Sequence, residues 1–485
     1  MALTQTVCIN FKGGIISPGY LKEVLKLAAD ARVNTVHFGL RQQLIMEVPV
    51  NHFNAFDKAC TESQIHYTIK KDALPNIVSS YSATSIFSGD TWLREGVFKD
   101  VFNLFDYAPQ LKINICDSTQ QLVPFFTGHI NWISSPSPHF WYLYIRVPKT
   151  QTALCWRELI YTNDIAAVSK QLERLMLAGT TDETGLYLKV KNAVSYTVKP
   201  VDKTLQLQAF SLPYYEGLNK ENNTWWLGIY RREEAFTIAF LKDVCDVCLQ
   251  TKIGELYTTP WKSLIIKSIE GNHRVLWNKV LGKHRINVRH AANELNWQVE
   301  DEEGLIIKRL IIRHFDKEDV RTQGLCFAVQ TKPYSSLFGS VIIRKEQVKN
   351  PHRLRSLDRY SILYKEGFNP NSAPLILFRE SIEKEYLGIY LVSLFKYYYE
   401  QEDGTPDFIQ QPVVTNITAE EKSLAVVYQC RHCFTVYEEA CGDEEQGITA
   451  GTAFTALPID YRCPTCEAAK DDFTAVDRMS LQLAY

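Results

Sequence analysis

The chain has 485 residues, 46% hydrophobic and 22% charged, an ordinary globular composition with material for about three domains. A formal net charge of −2 removes any global case for nucleic acid, and no apolar run approaches the roughly 18 residues needed to span a membrane. Twelve cysteines without a basic-then-apolar start argue against a signal peptide and a disulfide framework, and for metal ligands and buried thiols in a reducing cytoplasm.

The chain opens on Gly13-Gly14-Ile15-Ile16-Ser17-Pro18-Gly19. The glycines permit a tight turn, and Ser17-Pro18 reads as an N-cap followed by proline at the first helical position. Leu21, Val24, Leu25, Leu27 and Ala28 then recur at helical spacing, predicting a helix over Tyr20 to Ala31. Strands are expected at Thr35 to Phe38 and Leu44 to Val48, with Arg41-Gln42-Gln43 between them. The pattern returns about 220 residues later. A helix is expected over Glu233 to Leu249 and a strand at Glu255 to Thr258, and Trp261-Lys262-Ser263-Leu264 takes the place of Arg41-Gln42-Gln43-Leu44. Matching order at a common offset reads as internal duplication.

Between the copies, strands are expected at Leu111 to Cys116, Phe140 to Val147 and Leu186 to Val190, and a helix over Ile165 to Ala178. After the second copy, Leu305 to Arg313 and Ser340 to Arg344 read as strands, and Glu380 to Tyr399 as a long aromatic-rich helix. Gln401 to Glu420 carries Gly404, Pro406 and Pro412 in a polar run and reads as a linker. Trp225-Trp226 and the tyrosines ending at Tyr399 supply apolar area for an interdomain core or an oligomer interface. No GxGxxG or P-loop sequence stands at a strand-to-helix turn, so no nucleotide cofactor is indicated.

The strongest chemical signal comes last. Cys430-Arg-His-Cys433 and Cys463-Pro-Thr-Cys466 are two hooks whose four thiolates can converge on one tetrahedral metal, and soft sulfur selects iron or zinc. Between Ala425 and Arg478 there are ten acidic and four basic side chains, net −6; the rest has 45 acids and 49 bases, net +4. The acidic module has either a plain solvated surface or a docking face for a basic partner.

The stretch resembles the rubredoxin family. Beyond the hooks, the resemblance runs through Tyr428, Gly442-Asp443, Gly447-Ile448, Gly451-Thr452, Phe454, Leu457-Pro458, Tyr461 and Lys470 to Phe473. It implies a small β-rich fold holding one iron by Cys430, Cys433, Cys463 and Cys466 and carrying one electron. One departure stands out: the family has glycine directly after each hook, where this chain has Phe434 and Glu467, which strains a left-handed backbone there.

The larger body, roughly residues 8–320, resembles the siroheme-dependent nitrite and sulfite reductases. The resemblance rests on Gly13 to Pro18 with Leu40-Arg41-Gln42, on Thr259-Pro260-Trp261-Lys262-Ser263-Leu264, and on Pro75-Asn76-Ile77-Val78 and Leu111-Lys112-Ile113. It implies that Arg41 and Lys112 remain from the family's oxyanion site, since an anionic substrate requires cations. Two further cations are replaced, by Pro75 and Gln110. The family's two cysteine pairs for a [4Fe–4S] cluster are missing from the C-terminal half, which has Cys326 alone between the second module and the linker, and the upstream pair Cys245 and Cys248 stands at the wrong place. Siroheme and the cluster are therefore not expected.

Other candidates read blandly. Cys245 and Cys248 are taken as small apolar residues on a helix core face, and Cys8, Cys60, Cys116, Cys155 and Cys326 as structural. Cys441 is expected to be buried, His432 to lie on the surface, and His129 to be no heme ligand.

The expected fold class is α+β. Ferredoxin-like half-domains at 1–74 and 205–298 alternate with reductase-like domains at 75–204 and 299–400. A linker at 401–424 leads to the rubredoxin-like domain at 425–478. The expected function is one-electron transfer by iron, with zinc as a substitute, serving nitrite or sulfite assimilation. The expected partner is a redox protein, either a reductase of that kind or an electron-donor reductase. Two alternatives stay open: an enzyme whose body still binds a tetrapyrrole, and a non-redox protein with structural zinc.

Overall fold

The computed structural model describes residues 3–70, 73–87, 92–147, 153–289, 291–333, 335, 337–346, 358–372, 374–402, 426–433, 435–443 and 446–477. The chain forms two compact units, 1–404 and 405–485.

The first unit opens with β1 (Thr4–Ile9), β2 (Ile15–Ile16), α1 (Pro18–Asp30), β3 (Thr35–Phe38), β4 (Leu44–Pro49), α2 (Val50–Glu62) and β5 (Thr68–Ile69). Pro18 sits in the first turn of α1, and Leu21, Val24, Leu25, Leu27 and Ala28 are buried, as their spacing predicts. Ser17 is extended but its side chain makes no capping bond, so proline alone sets the helix start.

A seven-stranded sheet follows. Its strands are β6 (Val78–Ser79), β7 (Ile113–Cys116), β8 (Ile130–Ser134), β9 (Phe140–Arg146), β10 (Ala153–Cys155), β11 (Glu158–Tyr161) and β12 (Val198–Pro200), in the order β12-β11-β9-β8-β7-β6 with β10 beside β9. Its helices are α3 (Glu95–Leu104), α4 (Ile165–Leu177) and α5 (Glu183–Ala193). The strand expected at Leu186 to Val190 lies inside α5. The Asp182 carboxylate accepts from Gly185 N–H and starts a helix whose buried face is Leu186, Tyr187 and Val190.

The second copy comprises β13 (Gly217–Glu221), β14 (Thr224–Ile229), β15 (Ala235–Thr237), α6 (Ile238–Gln250), β16 (Leu256–Thr258), β17 (Leu264–Glu270) and α7 (Arg274–Lys283). It repeats the first down to single hydrogen bonds. Val33 N–H donates to Ala28 O, and Ile253 N–H to Cys248 O, 220 positions on. Arg32 and Lys252 both adopt the left-handed conformation, with φ of 63° and 59°. The two hairpin turns close alike, Gly39 N–H on Gln43 O and Thr259 N–H on Ser263 O, with Gln42 and Lys262 at φ 58° and 57°. A one-residue bulge at Ser268 (φ 58°) shifts the register between Trp225 and Leu227. From there the offset becomes 221: Ile65 N–H donates to Cys60 O, and Ile286 N–H to Leu281 O.

The copies exchange strands. β15 of the second pairs with β3 of the first, Ala235 opposite His37, while β2 of the first pairs with β16 of the second, Ile15 opposite Tyr257. The sheets thus read β15-β3-β4-β1-β5 and β13-β14-β17-β16-β2, and one apolar core runs through both copies. Cys245 and Cys248 are buried in it.

The last sheet of the first unit contains β18 (Trp297–Val299), β19 (Phe327–Gln330), β20 (Val341–Lys345), β21 (Arg359–Lys365) and β22 (Leu375–Glu383), hydrogen-bonded in that order. It carries α8 (Glu302–Lys317) and α9 (Leu387–Glu402). The strand expected at Leu305 to Arg313 is helical, in α8. Asp301 caps Gly304 N–H, and Glu302 and Glu303 against His314 and Lys317 suit the helix dipole. The helix expected from Glu380 begins at Leu387, because pairing with β21 holds the chain extended to Glu383 opposite Arg359. The linker expected at 401–424 lies outside the described residues after the end of α9.

The second unit is a small sheet of β23 (Val426–Cys430), β24 (Val436–Tyr437) and β25 (Phe473–Asp477), with β23 central. No helix among the described residues is long and apolar enough to cross a membrane.

Candidate metal centre

β23 ends on Cys430 and turns into the first hook. Cys430 N–H donates to Thr435 O at 2.8 Å; in the second hook Cys463 N–H donates to Ala468 O at 2.9 Å. The two turns therefore close in the same way, the acceptor five positions after the donor. They face each other. Cys430 and Cys466 Sγ are 3.6 Å apart, Cys433 and Cys463 Sγ are 3.4 Å apart, and all four lie within 4.8 Å of one another. Thiolates about 2.3 Å from a tetrahedral metal would stand roughly 3.8 Å apart, so the four sulfurs fit such an ion closely.

Local hydrogen bonds favour the thiolate at Cys433. The Thr435 hydroxyl and N–H hold Cys433 down at about 6. Burial pushes the Cys463 thiol up, opposed by the Cys466 and Thr465 N–H groups. Cys430 and Cys463 are buried, Cys433 is partly exposed and Cys466 is exposed, so one side of the site faces solvent. The other side is aromatic. Tyr428 stacks on Phe454 with centroids 3.9 Å apart, and Tyr437, Tyr461 and Phe473 complete the cluster. Tyr461 donates to Asp443, and Lys470 Nζ bonds Leu457 O at 2.7 Å, tying the loop between the hooks to the sheet.

Glu467 stands at φ 62°, the left-handed conformation expected after the second hook; Phe434 lies outside the described residues. Glu467→Gly is expected to stabilise the unit by about 1 kcal/mol by removing that strain. Chemical denaturation of the two iron-loaded forms measures it, and an unchanged midpoint would refute it.

His432 is exposed, 3.5 Å from Asp472. Cys441, expected to be buried, is exposed, because the turn after Tyr437 carries it to the surface. Cys8, Cys60, Cys116 and Cys326 are buried and Cys155 is exposed.

The remaining candidates lie in the first unit. The Arg41 guanidinium donates to Asn76 O, Ile113 O and Asn114 Oδ1 at 2.6–3.2 Å, pinning the first copy's turn to the seven-stranded sheet. Trp261, its counterpart 220 positions on, donates from Nε1 to Leu122 O in the loop between β7 and β8. Burial and Arg146 pull Arg41 down to about 9, against the pull of Cys116. Burial, then Arg41 and Arg146, lower Lys112, with Glu300 opposing. His129 accepts from Lys112 N–H through Nδ1, and burial with these three cations holds it at about 4, hence neutral near pH 7. Arg146 was not singled out from sequence, since nothing in Tyr144 to Val147 distinguishes it from a strand-end cation.

The family model for rubredoxin matches residues 427–473. The rubredoxin of Megasphaera elsdenii is 48% identical over 50 residues, 10% of this chain and 94% of that protein. The high molecular weight rubredoxin of Moorella thermoacetica is 36% identical over 83 residues, 17% of this chain. The chain spans about a third, 36%, of that relative's length. The structure of the Mycobacterium tuberculosis NirA protein superposes with a TM-score of 0.61 and 11% identity, covering 81% of both chains, and so shares the fold. A rubredoxin domain with four converging cysteines implies iron. On a body of NirA-like fold, residues 427–473 of this chain belong to the rubredoxin family.

Proposed function

We propose that the chain is a one-electron carrier whose redox site is the iron held by Cys430, Cys433, Cys463 and Cys466. The observation that carries this reading is the convergence of four sulfurs, at 3.4 and 3.6 Å across the hooks, in a rubredoxin domain. Bound there, iron supplies one electron per cycle between ferric and ferrous states. The chain's part is to hold four ligands in a fixed tetrahedron, so that little rearranges on transfer, and to leave the Cys433 and Cys466 side open to a partner. The donor is a one-electron redox protein.

The body serves as scaffold and docking surface, in nitrite or sulfite assimilation as its reductase resemblance implies. It carries no [4Fe–4S] cluster in this reading. Support comes from cysteine placement. Cys245 and Cys248 are packed in the duplicated core, and Cys326 lies against Ser340 at the start of β19. Full-length protein purified anaerobically with iron supplied should hold one iron per chain and show thiolate-to-iron absorption in the visible. Zinc with no such absorption overturns the proposal.

A second reading has one observation in its favour. Arg41, Lys112 and Arg146 share a neighbourhood around neutral His129, a cationic patch suited to an anion. An enzyme reading puts a tetrapyrrole beside it. Co-expression with siroheme biosynthesis tests this on the full chain: a retained tetrapyrrole spectrum supports it, and a spectrum of the iron–thiolate site alone rejects it.

A further inference from the structure

The two knuckles of the metal centre close with the same backbone hydrogen bond, and one of their side-chain differences stands beside a ligand sulfur. Two residues after its second cysteine, the first hook has Thr435 and the second has Ala468, each accepting the N–H bond that closes the knuckle. Thr435 Oγ1 lies 3.1 Å from Cys433 Sγ. It also lies 2.8 Å from Thr465 Oγ1, which belongs to the opposite hook and is exposed. A metal-bound Cys433 has no proton, so its sulfur only accepts. In the metal-free chain Cys433 Sγ–H donates to Thr435 Oγ1 and Thr435 O–H to Thr465 Oγ1; a thiolate accepts more strongly than a neutral hydroxyl, so with metal bound both turn round, Thr435 O–H donating to Cys433 Sγ and Thr465 O–H to Thr435 Oγ1.

We infer that Thr435 is a positioning residue that sets the reduction potential of the centre, through an O–H···S bond oriented by Thr465. This rests on the iron reading above.

Reduction brings one electron from a donor and adds one negative charge, which the four sulfurs share. No bond to a protein atom is made or broken, and the hydroxyl protons stay on oxygen. A hydrogen bond to sulfur strengthens as that sulfur becomes more negative, so it favours the reduced state and raises the potential. The other ligand contacts are peptide N–H groups, which any side chain would supply; the Thr435 hydroxyl depends on sequence. The second hydroxyl matters through orientation. With Thr465 donating, Thr435 has an acceptor position filled and its single proton directed at sulfur.

The test is the midpoint potential of the full-length, iron-loaded chain by protein-film voltammetry, together with the iron–sulfur stretching bands in resonance Raman spectra. Thr435→Val, similar in shape without the hydroxyl, should lower the potential by about 59 mV, a tenfold shift in the reduced-to-oxidised ratio. Its Raman bands should shift less in D2O than the native bands do, the peptide N–H groups alone remaining to exchange. Thr435→Ser should keep the native potential, and Thr465→Val should lower it by a smaller amount. Should Thr435→Val fail to take up iron, Thr435→Ala replaces it, because Ala468 shows that the knuckle closes with alanine. An iron-loaded Val or Ala variant with native potential and native Raman bands overturns this inference and leaves the carrier reading intact. A native chain that holds zinc and no iron overturns the carrier reading, and this inference with it.

Discussion

Cys463→Ser is expected to release the metal and unfold the second unit. Its apolar core is small: Tyr437, Phe454, Leu457, Tyr461 and Phe473, packed around Cys430 and Cys463 themselves. A core of that size leaves a domain marginal without a staple. The metal is the staple, and its binding free energy is folding free energy, on the order of 10 kcal/mol for four-ligand sites of this kind. Removing one buried thiolate of four forfeits much of that. Iron content and hydrogen exchange read the two halves of the claim. Exchange protection at β23 and β25 should be lost in the variant; native-like protection in iron-free Cys463→Ser would show that the sheet stands without its metal.

The second large effect is expected at Glu234, in the first unit. Its carboxylate is buried and faces two ammonium groups, Lys262 from the hairpin turn and Lys308 from α8 at 3.0 Å. Burial alone would raise it, but Lys308 and Lys262 prevail and hold it at about 2. Burial also pulls Lys308 down, against Glu234, and Tyr230 OH takes a further Lys308 proton at 2.6 Å. Glu234→Gln keeps the volume and removes the anion, leaving two buried cations together. The expected cost is roughly 3–5 kcal/mol. The pH dependence has a definite sign. A carboxylate lowered on folding adds stability that is whole above its ordinary value of 4.5 and is lost as pH falls toward about 2. Thermal unfolding of the two proteins at pH 7 and at pH 3 checks both statements. Equal melting temperatures at pH 7, or a gap that widens in acid, would contradict them.

The hooks were legible because metal ligation is a short-range constraint. Four cysteines at fixed spacing mean the same thing wherever the chain goes. The duplication was legible because matching residues recur at one offset. Which strands pair was not, since β2 finds its partner 240 residues away, Ile16 opposite Leu256, and nothing near β2 names it. Leu186 to Val190 and Leu305 to Arg313 were misread because alternating and helical spacing are hard to separate over so few positions. In both cases the aspartate just upstream, Asp182 or Asp301, decided for helix. Glu234 was hidden by its neighbour: Glu233 and Glu234 look alike in the sequence, yet their side chains are 58% and 5% exposed. Thr435 and Thr465 carried no signal, since their meeting requires both hooks to be folded.

The exchanged strands also set a clock for the nascent chain. When β3 leaves the ribosome, the strand that covers its free edge is some 200 residues from being made, and β2 waits longer still for β16. At roughly 5–20 residues per second, that leaves a sheet edge and an apolar helix face uncovered for about 10–50 seconds. Neither copy can complete its sheet before the other is made, so the two close together, late in synthesis, where self-sufficient modules would close one by one.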